Sequence, residues 1–277
     1  MQGRVRTALV TGASSGIGLE LCRLLARDGA RVVMVARDEE RLQRAARWIQ
    51  AEHPGIGLTL LAADLSAPGA AATLMARVER EVDPIDFLVN NAGVGASGPF
   101  AASERAQVLG LIQLNVVSLV ELTHLLLPGL LERRRGIILN VASTAAFLPG
   151  PWMAIYYASK AFVLSFSEAL AEEVGESGVS VTALCPGPTA TGFQKRAGIE
   201  QSRLLRGRLA LEAGPVAAAA YRGALGGRRV VIPGAANKAM VQALRALPRT
   251  FVSQMARRAN QPGAPGAQAP GVRGGDA

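Results

Sequence analysis

Cysteine, histidine and aromatic side chains are all scarce in this chain of 277 residues, which has two cysteines, two histidines and 4% aromatics. Two cysteines exclude a disulfide scaffold or a multi-cysteine metal site. Cys22 on an expected first helix and Cys185 at the end of an apolar strand read as buried free thiols, which fits a reducing, cytoplasmic setting. His53 and His124 match no motif and read as structural. No uninterrupted apolar run reaches the roughly 18 residues of a membrane span. The nearest, Val116 to Leu131, is broken by Glu121, His124 and Pro128 and reads as a buried or interface helix. No signal-peptide pattern opens the chain, because its first apolar stretch runs straight into glycines. Acidic residues are fewer than basic ones, giving a net charge of +9. The arginines read as scattered, as in Arg41, Arg44 and Arg47. The clusters Arg133-Arg134-Arg135, Arg228-Arg229 and Arg257-Arg258 have no aromatics between them and no nucleic-acid motif around them, so no nucleic-acid partner is expected.

What the chain has is apolar bulk, 49% of its residues, enough for one large α/β core. Strand-like runs near 5–11, 31–36, 57–62, 85–90, 136–142, 179–185 and 229–232 alternate with helical patterns. The helices fall near 17–28, 39–52, 67–82, 103–133, 155–175, 215–225 and 236–258. That alternation predicts a doubly wound Rossmann domain with a seven-stranded parallel sheet covered on both faces. The domain spans residues 1–235, with a substrate lid at about 190–213. A C-terminal amphipathic helical extension follows at 236–260, and residues 261–277, rich in Pro, Gly and Ala, read as a disordered tail.

Two motifs carry chemistry. After the apolar strand Val5–Val10 comes Thr11-Gly12-Ala13-Ser14-Ser15-Gly16-Ile17-Gly18, then an amphipathic helix. Glycines there permit a tight turn and a close approach to a pyrophosphate, whose charge meets N–H groups at the helix start. The spacing is Gly-x-x-x-Gly-x-Gly, and an ordinary strand–helix turn would look similar. Further on, Tyr156 and Lys160 stand four apart on one helix face. An ammonium there is expected to lower the tyrosine pKa and make the phenol a proton donor or acceptor. Ser143, ending the strand Gly136–Ala142, offers a hydroxyl to a substrate oxygen. Taken singly, Tyr-x-x-x-Lys arises by chance on many helices.

Together with Asp64-Leu65, Asn90-Asn91-Ala92-Gly93, Asn115 and Pro186-Gly187-Pro188-Thr189-Ala190-Thr191, all in order, these segments resemble the short-chain dehydrogenase/reductase family over roughly residues 5 to 235. The likeness is to its broad-specificity, NADP-dependent branch. The resemblance implies Tyr156 as general acid/base, Ser143 on the same substrate oxygen, Lys160 lowering the Tyr156 pKa and holding the nicotinamide ribose, and Asn115 holding a water in a proton path. It implies a dinucleotide cradle of Gly12, Ser14, Ser15, Gly16, Ile17 and Gly18. Asp64 and Leu65 would contact adenine, Asn91, Ala92 and Gly93 would pass beneath the adenosine, and Thr189 and Thr191, after Pro186 and Gly187, would fix the carboxamide. The threonines would also serve as plain loop caps.

Cofactor choice turns on the end of the second strand. Ala36 takes the place of a ribose-binding acid, and Arg37 beside it suits a 2′-phosphate, which favours NADP(H) over NAD(H). Asp38 reads as a helix N-cap. Phe147, Leu148, Pro149, Trp152, Met153 and Phe193 line an apolar pocket, with Gly95, Ala96 and Phe100 on another wall. The expected activity is reduction of an apolar ketone or aldehyde, or oxidation of the corresponding secondary alcohol. Lys195, Arg196 and Arg203 fall in the lid and read as solvated. Alternatives are a nucleotide-binding regulatory or scaffold subunit, an epimerase or dehydratase, and a membrane-peripheral lipid reductase. The last draws on the basic amphipathic segment 235–258, which Pro248 should kink or split; packing over the pocket or against a partner subunit is the other reading of that segment. Ala158, Ala161, Phe162, Leu164 and Phe166 suggest helix pairing in a homodimer or homotetramer.

Overall fold

Five consecutive buried residues, Thr7–Thr11 (β1), form an interior strand of the sheet. Such uninterrupted burial is what a parallel strand covered on both faces requires. The computed structural model describes residues 5–193 and 210–260. The sheet is completed by Arg31–Ala36 (β2), Leu58–Ala62 (β3), Phe87–Asn90 (β4), Gly136–Val141 (β5), Val179–Leu184 (β6) and Val230–Val231 (β9). Seven strands lie in the order β3-β2-β1-β4-β5-β6-β9, each adjacent pair parallel. The connection reverses direction beside β1, so a crevice opens at the C-terminal ends of β1 and β4, the place where open α/β sheets bind ligands. This is the single doubly wound domain the alternation predicts.

Side-chain alternation along the strands feeds two separate cores. Ala8, Val10, Val32 and Met34 face Gly16–Arg27 (α1), Glu39–Glu52 (α2) and Ala213–Leu225 (α7), through Leu21, Leu42, Ile49 and Val216. Leu9, Val33 and Val35 face the opposite way, onto Ala70–Glu81 (α3), Ser118–Glu132 (α5) and Ala154–Glu173 (α6), through Leu74, Leu122 and Leu170. Each fully buried Leu or Ile contributes about 1.5–3 kcal/mol, so the two faces together outweigh any single polar contact. Asp38 caps α2, its carboxylate accepting from Arg41 N at 3.0 Å. The free thiols Cys22 and Cys185 are buried.

The structure departs from the sequence reading in three places. The helix expected over 103–133 is Arg105–Ile112 (α4), a π turn over Gln113–Val117, and α5. That stretch has the length and mean hydropathy (1.6) of a membrane span, yet its Leu122, Thr123 and Leu130 are buried in the domain. The segment expected at 236–258 is two helices, Ala235–Ala246 (α8) and Arg249–Asn260 (α9), split at Pro248 as its missing N–H foretells. A small parallel pair, Thr189–Ala190 (β7) with Leu211–Glu212 (β8), had no signal in its two-residue strands. Leu164 is buried in the core and not on a helix-pairing surface, whereas Phe162 is exposed. Lys195, Arg196, Arg203 and most of the 190–213 lid lie outside the described residues, as does the 261–277 tail.

Candidate active site

The glycine turn is braced from behind by two side chains. Thr11 Oγ1 donates to Val89 O (3.2 Å) and accepts from Asn91 N and Ala92 N (3.0 Å each). Asn91 Nδ2 donates to Thr11 O (2.9 Å) and Gly12 O (3.2 Å). Thus Asn91, expected beneath an adenosine, spends its amide on the turn itself, and Thr11 is a functional residue that sequence reasoning missed. Gly12 has φ +65°, and a Cβ there would meet Asn91 Nδ2 at 2.7 Å. At Gly18 an added Cβ would lie 2.4 Å from Gly12 O, so only glycine lets α1 start this close to β1. Ser15 is the N-cap of α1 but makes no side-chain cap bond, and the first turn holds no acid. Its N–H groups and dipole therefore suit an anion between Gly12 and Ile17, with Ser14 in the same turn. Those features fit a dinucleotide pyrophosphate.

At the adjoining strand ends, Arg37 is exposed and close enough to Asp64 to help hold that carboxyl below its ordinary range, after the larger pull of its hydrogen bond from Ser66. Asp64 Oδ1 accepts from Ser66 N (3.0 Å) and Ser66 Oγ (2.6 Å). Leu65 is buried, and its carbonyl accepts from Ser118 Oγ at 2.6 Å. Across the crevice, Thr189 Oγ1 donates to Gly187 O (3.0 Å) and Thr191 Oγ1 accepts from Phe193 N (3.3 Å), so both threonines make the local loop bonds that the plain capping role calls for. A Cβ at Gly16 would sit 3.0 Å from Thr191 Cγ2, which puts the Pro186–Thr191 segment directly against the start of α1.

Ser143, Tyr156 and Lys160 converge at the ends of β5 and β6. Ser143 Oγ accepts from Ala145 N (3.1 Å) and donates to Pro186 O (3.4 Å), and its hydroxyl lies near enough to the Tyr156 phenol to draw that pKa down. Lys160 Nζ donates to Val141 O at 2.8 Å and stands 5.9 Å from the centre of the Tyr156 ring. The expected lowering of the Tyr156 pKa by Lys160 is not found. Burial pushes the phenol up to about 12, against a smaller opposing effect of the nearby Ser143 hydroxyl. Burial also lowers Lys160 to about 8, because a charged group loses more solvation than a neutral one. Desolvation dominates both groups. Asn115, in the π turn, gives its amide to protein: Nδ2 donates to Val94 O (2.9 Å) and Ser159 Oγ (3.1 Å), and Oδ1 accepts from Val94 N (3.0 Å). Gly93 keeps open the space between Asn115 and Lys160, where a Cβ would be 3.3 Å from Asn115 Oδ1 and 3.5 Å from Lys160 Nζ.

The apolar wall is only partly as expected. Phe193 lies against Tyr156, ring centres 5.3 Å apart. Phe147 is partly buried beneath Arg245, 5.6 Å from its ring centre. Met153 is buried with Ala145 and Tyr157, where it supports the wall from inside, and Phe100 is exposed on the surface. Trp152 takes φ +69°, a left-handed backbone that costs a non-glycine residue about 1–2 kcal/mol. Its carbonyl accepts from Gly98 N at 2.8 Å, which helps hold that conformation. Asn260, the last residue of α9, reaches over the same loop: Tyr157 Oη donates to its Oδ1 and its Nδ2 donates to Pro151 O, both at 3.2 Å. Nothing in the sequence links Asn260 to a position some hundred residues earlier.

With this geometry in hand, comparison with known proteins is specific. A family model for short chain dehydrogenases matches residues 6–202. The ketoacyl reductase HetN of Nostoc sp. is 34% identical over 182 residues, 66% of this chain and 63% of that protein. The chain therefore spans less than two thirds of the relative's length. A short-chain dehydrogenase from Sphingobium yanoikuyae, solved with NADPH, is 36% identical with a TM-score of 0.78, covering 87% of this chain and 92% of the other. One from Burkholderia phymatum, solved with NAD, is 25% identical with a TM-score of 0.78, over 87% and 93%.

Proposed function

The chain belongs to the short-chain dehydrogenase family, and from that premise we propose an NADP(H)-dependent oxidoreductase that reduces an apolar ketone or aldehyde, or oxidises the matching secondary alcohol. The observation that carries the reading is the convergence of Ser143, Tyr156 and Lys160 at the ends of β5 and β6, with Lys160 Nζ 5.9 Å from the Tyr156 ring centre and burial pushing the phenol up to about 12. A donor that stays protonated at neutral pH suits reduction, in which the substrate oxygen takes up a proton as it gains charge. What the dinucleotide supplies when bound is the hydride. Tyr156 gives its proton to the oxygen, while Ser143 holds the same atom through a bond that strengthens as negative charge grows. Lys160, cationic below about pH 8, supports the phenolate left behind. Asn115 fixes the 93–94 segment against α6.

The dinucleotide would be held by N–H groups of the Gly12–Gly18 turn, by Lys160 at its ribose and by Thr189 and Thr191. Arg37 supports the NADP(H) preference: it is exposed at the end of β2, and Asp38 is committed to capping α2. Phe193, whose ring centre lies 5.3 Å from that of Tyr156, supports an apolar substrate. Leu109, Val117, Leu125 and Phe162, exposed on α4, the π turn, α5 and α6, support a homo-oligomer.

The test is consumption of NADPH and of NADH, followed by absorbance against a panel of ketones, aldehydes and quinones. Turnover is expected with NADPH, and Tyr156→Phe should lower it by about 10²–10⁴-fold without changing nucleotide affinity. Arg37→Ala should raise the KM for NADPH roughly tenfold and leave that for NADH unchanged. Tight NADPH binding with no turnover across the panel would replace this reading with a non-catalytic, nucleotide-binding role.

A further inference from the structure

Charge is not spread evenly along this chain, although single arginine runs look scattered. Of its 30 Lys and Arg and 21 Asp and Glu, residues 213–277 hold nine and one, so this last quarter carries a net +8 of the total +9. Elsewhere bases and acids nearly balance, 21 (30 less nine) against 20 (21 less one), and Arg23, Arg27, Arg31, Arg44, Arg77 and Arg135 each pair with a carboxylate. On α8 and α9, Lys238, Arg245, Arg249, Arg257 and Arg258 make no ion pair among the described residues. No acidic residue occurs anywhere from 235 to 260.

The same two helices expose apolar side chains. Each buries one stripe, Val241 and Leu244 on α8, Val252 and Ala256 on α9. Beside those stripes, Met240, Leu247, Phe251 and Met255 stay 37–50% exposed. On α9 the spacing places Phe251, Met255 and Arg258 within one narrow arc.

We propose that this α8–α9 face docks on an anionic lipid membrane. Cations alone would draw any polyanion. Exposed Phe and Met among them are what a helix lying at the headgroup boundary buries. The face also adjoins the site. Asn237 of α8 packs against Gly187, Arg245 lies over Phe147, and Asn260 of α9 bonds Tyr157 and Pro151. A membrane-dissolved ketone would thus reach Tyr156 from the docked side. That last step rests on the function proposed above; the docking itself does not.

The experiment is co-sedimentation of the full chain with vesicles of phosphatidylcholine alone and of phosphatidylcholine with about one third phosphatidylglycerol. Binding is expected to the anionic vesicles only, and to weaken at high salt. Replacing Arg249, Arg257 and Arg258 together by Ala should lower that affinity roughly a hundredfold. Phe251→Ser with Met255→Ser should lower it about tenfold, with turnover of a water-soluble ketone unchanged. Absent binding at low salt, or equal binding by the triple variant, overturns the proposal. So does capture by an acidic carrier protein in place of vesicles. A Phe251→Ser/Met255→Ser protein that loses mass in light scattering but binds vesicles as before would make the face a contact between copies. Vesicle binding without any ketone turnover would refute the proposed function and leave the docking intact.

Discussion

The two sides of the crevice are held together by different means. On the nucleotide side, backbone meets backbone: Gly12 and Gly18 close on each other, and Thr11 and Asn91 tie the turn to the Asn91-Ala92 segment through main-chain groups. On the substrate side, side chains meet side chains. Ser143, Tyr156, Phe193, Trp152 and Asn260 come from separate segments and are fixed by packing and by single hydrogen bonds. A backbone cradle admits almost no substitution, because there is nothing flexible to yield. A wall of side chains can change shape and keep its chemistry, which lets one nucleotide fold serve many substrates.

Substitutions that strike one side only will test that contrast. The largest effect is expected at Gly18→Ala, where the new methyl meets Gly12 O at 2.4 Å. Dinucleotide affinity by calorimetry should fall roughly a hundredfold or more, above about 2.7 kcal/mol; retained affinity would mean that the turn can relax after all. Next comes Lys160, which touches both sides. Burial takes its pKa from 10.5 to about 8, so between those values the folded protein has shed a proton that the unfolded chain keeps. Stability from this group is therefore greatest above pH 10.5 and is lost as pH falls to about 8. Lys160→Met removes the dependence. Urea unfolding at the two ends of the window should show the wild type gaining on the variant by roughly 2–3 kcal/mol as pH rises, and a constant difference would disprove the burial account.

A smaller effect is expected at Gly150→Ala, the counterpart glycine on the substrate side. Its Cβ would meet the Tyr157 ring at 2.2 Å, and a ring, unlike a backbone oxygen, can move. Stability should drop by about 1–3 kcal/mol and the ketone KM should rise, with dinucleotide affinity unchanged. If nucleotide binding falls in step, the two sides are not independent. The smallest effect is expected at Asn260→Ala, which frees Pro151 O and the Tyr157 hydroxyl. A rise in ketone KM of a few fold, about 1 kcal/mol, with unchanged kcat would mark Asn260 as a positioning residue for the Trp152 loop.

Much of this molecule was legible in the chain. Continuous apolar runs gave the strands, because parallel strands are buried on both faces; Asp38 marked the start of α2 and Pro248 the break between α8 and α9. The spacing of Gly12, Gly16, Gly18, Ser143, Tyr156 and Lys160 pointed to one crevice, and the fold brings those residues to one end of the sheet. Thr11 was passed over because a threonine closing a strand has no distinguishing signal until its neighbours are known. The direction of the Tyr156 shift was misread for a related reason: i,i+4 spacing reports that an ammonium is near, but not how much water both groups lose.

The sequence alone determined the alternation of strands and helices, the seven-stranded parallel sheet they build and the family's chemical groups, since these depend on local pattern and spacing along the chain. Tertiary structure decided the rest. It set which amides brace the turn, that burial governs the Tyr156 phenol, that Asn260 closes over the Trp152 loop, and that the five cations of α8 and α9 make no ion pair among the described residues. Those outcomes depend on distances between residues far apart in the chain and on the solvent they exclude, quantities that exist only once the chain has folded.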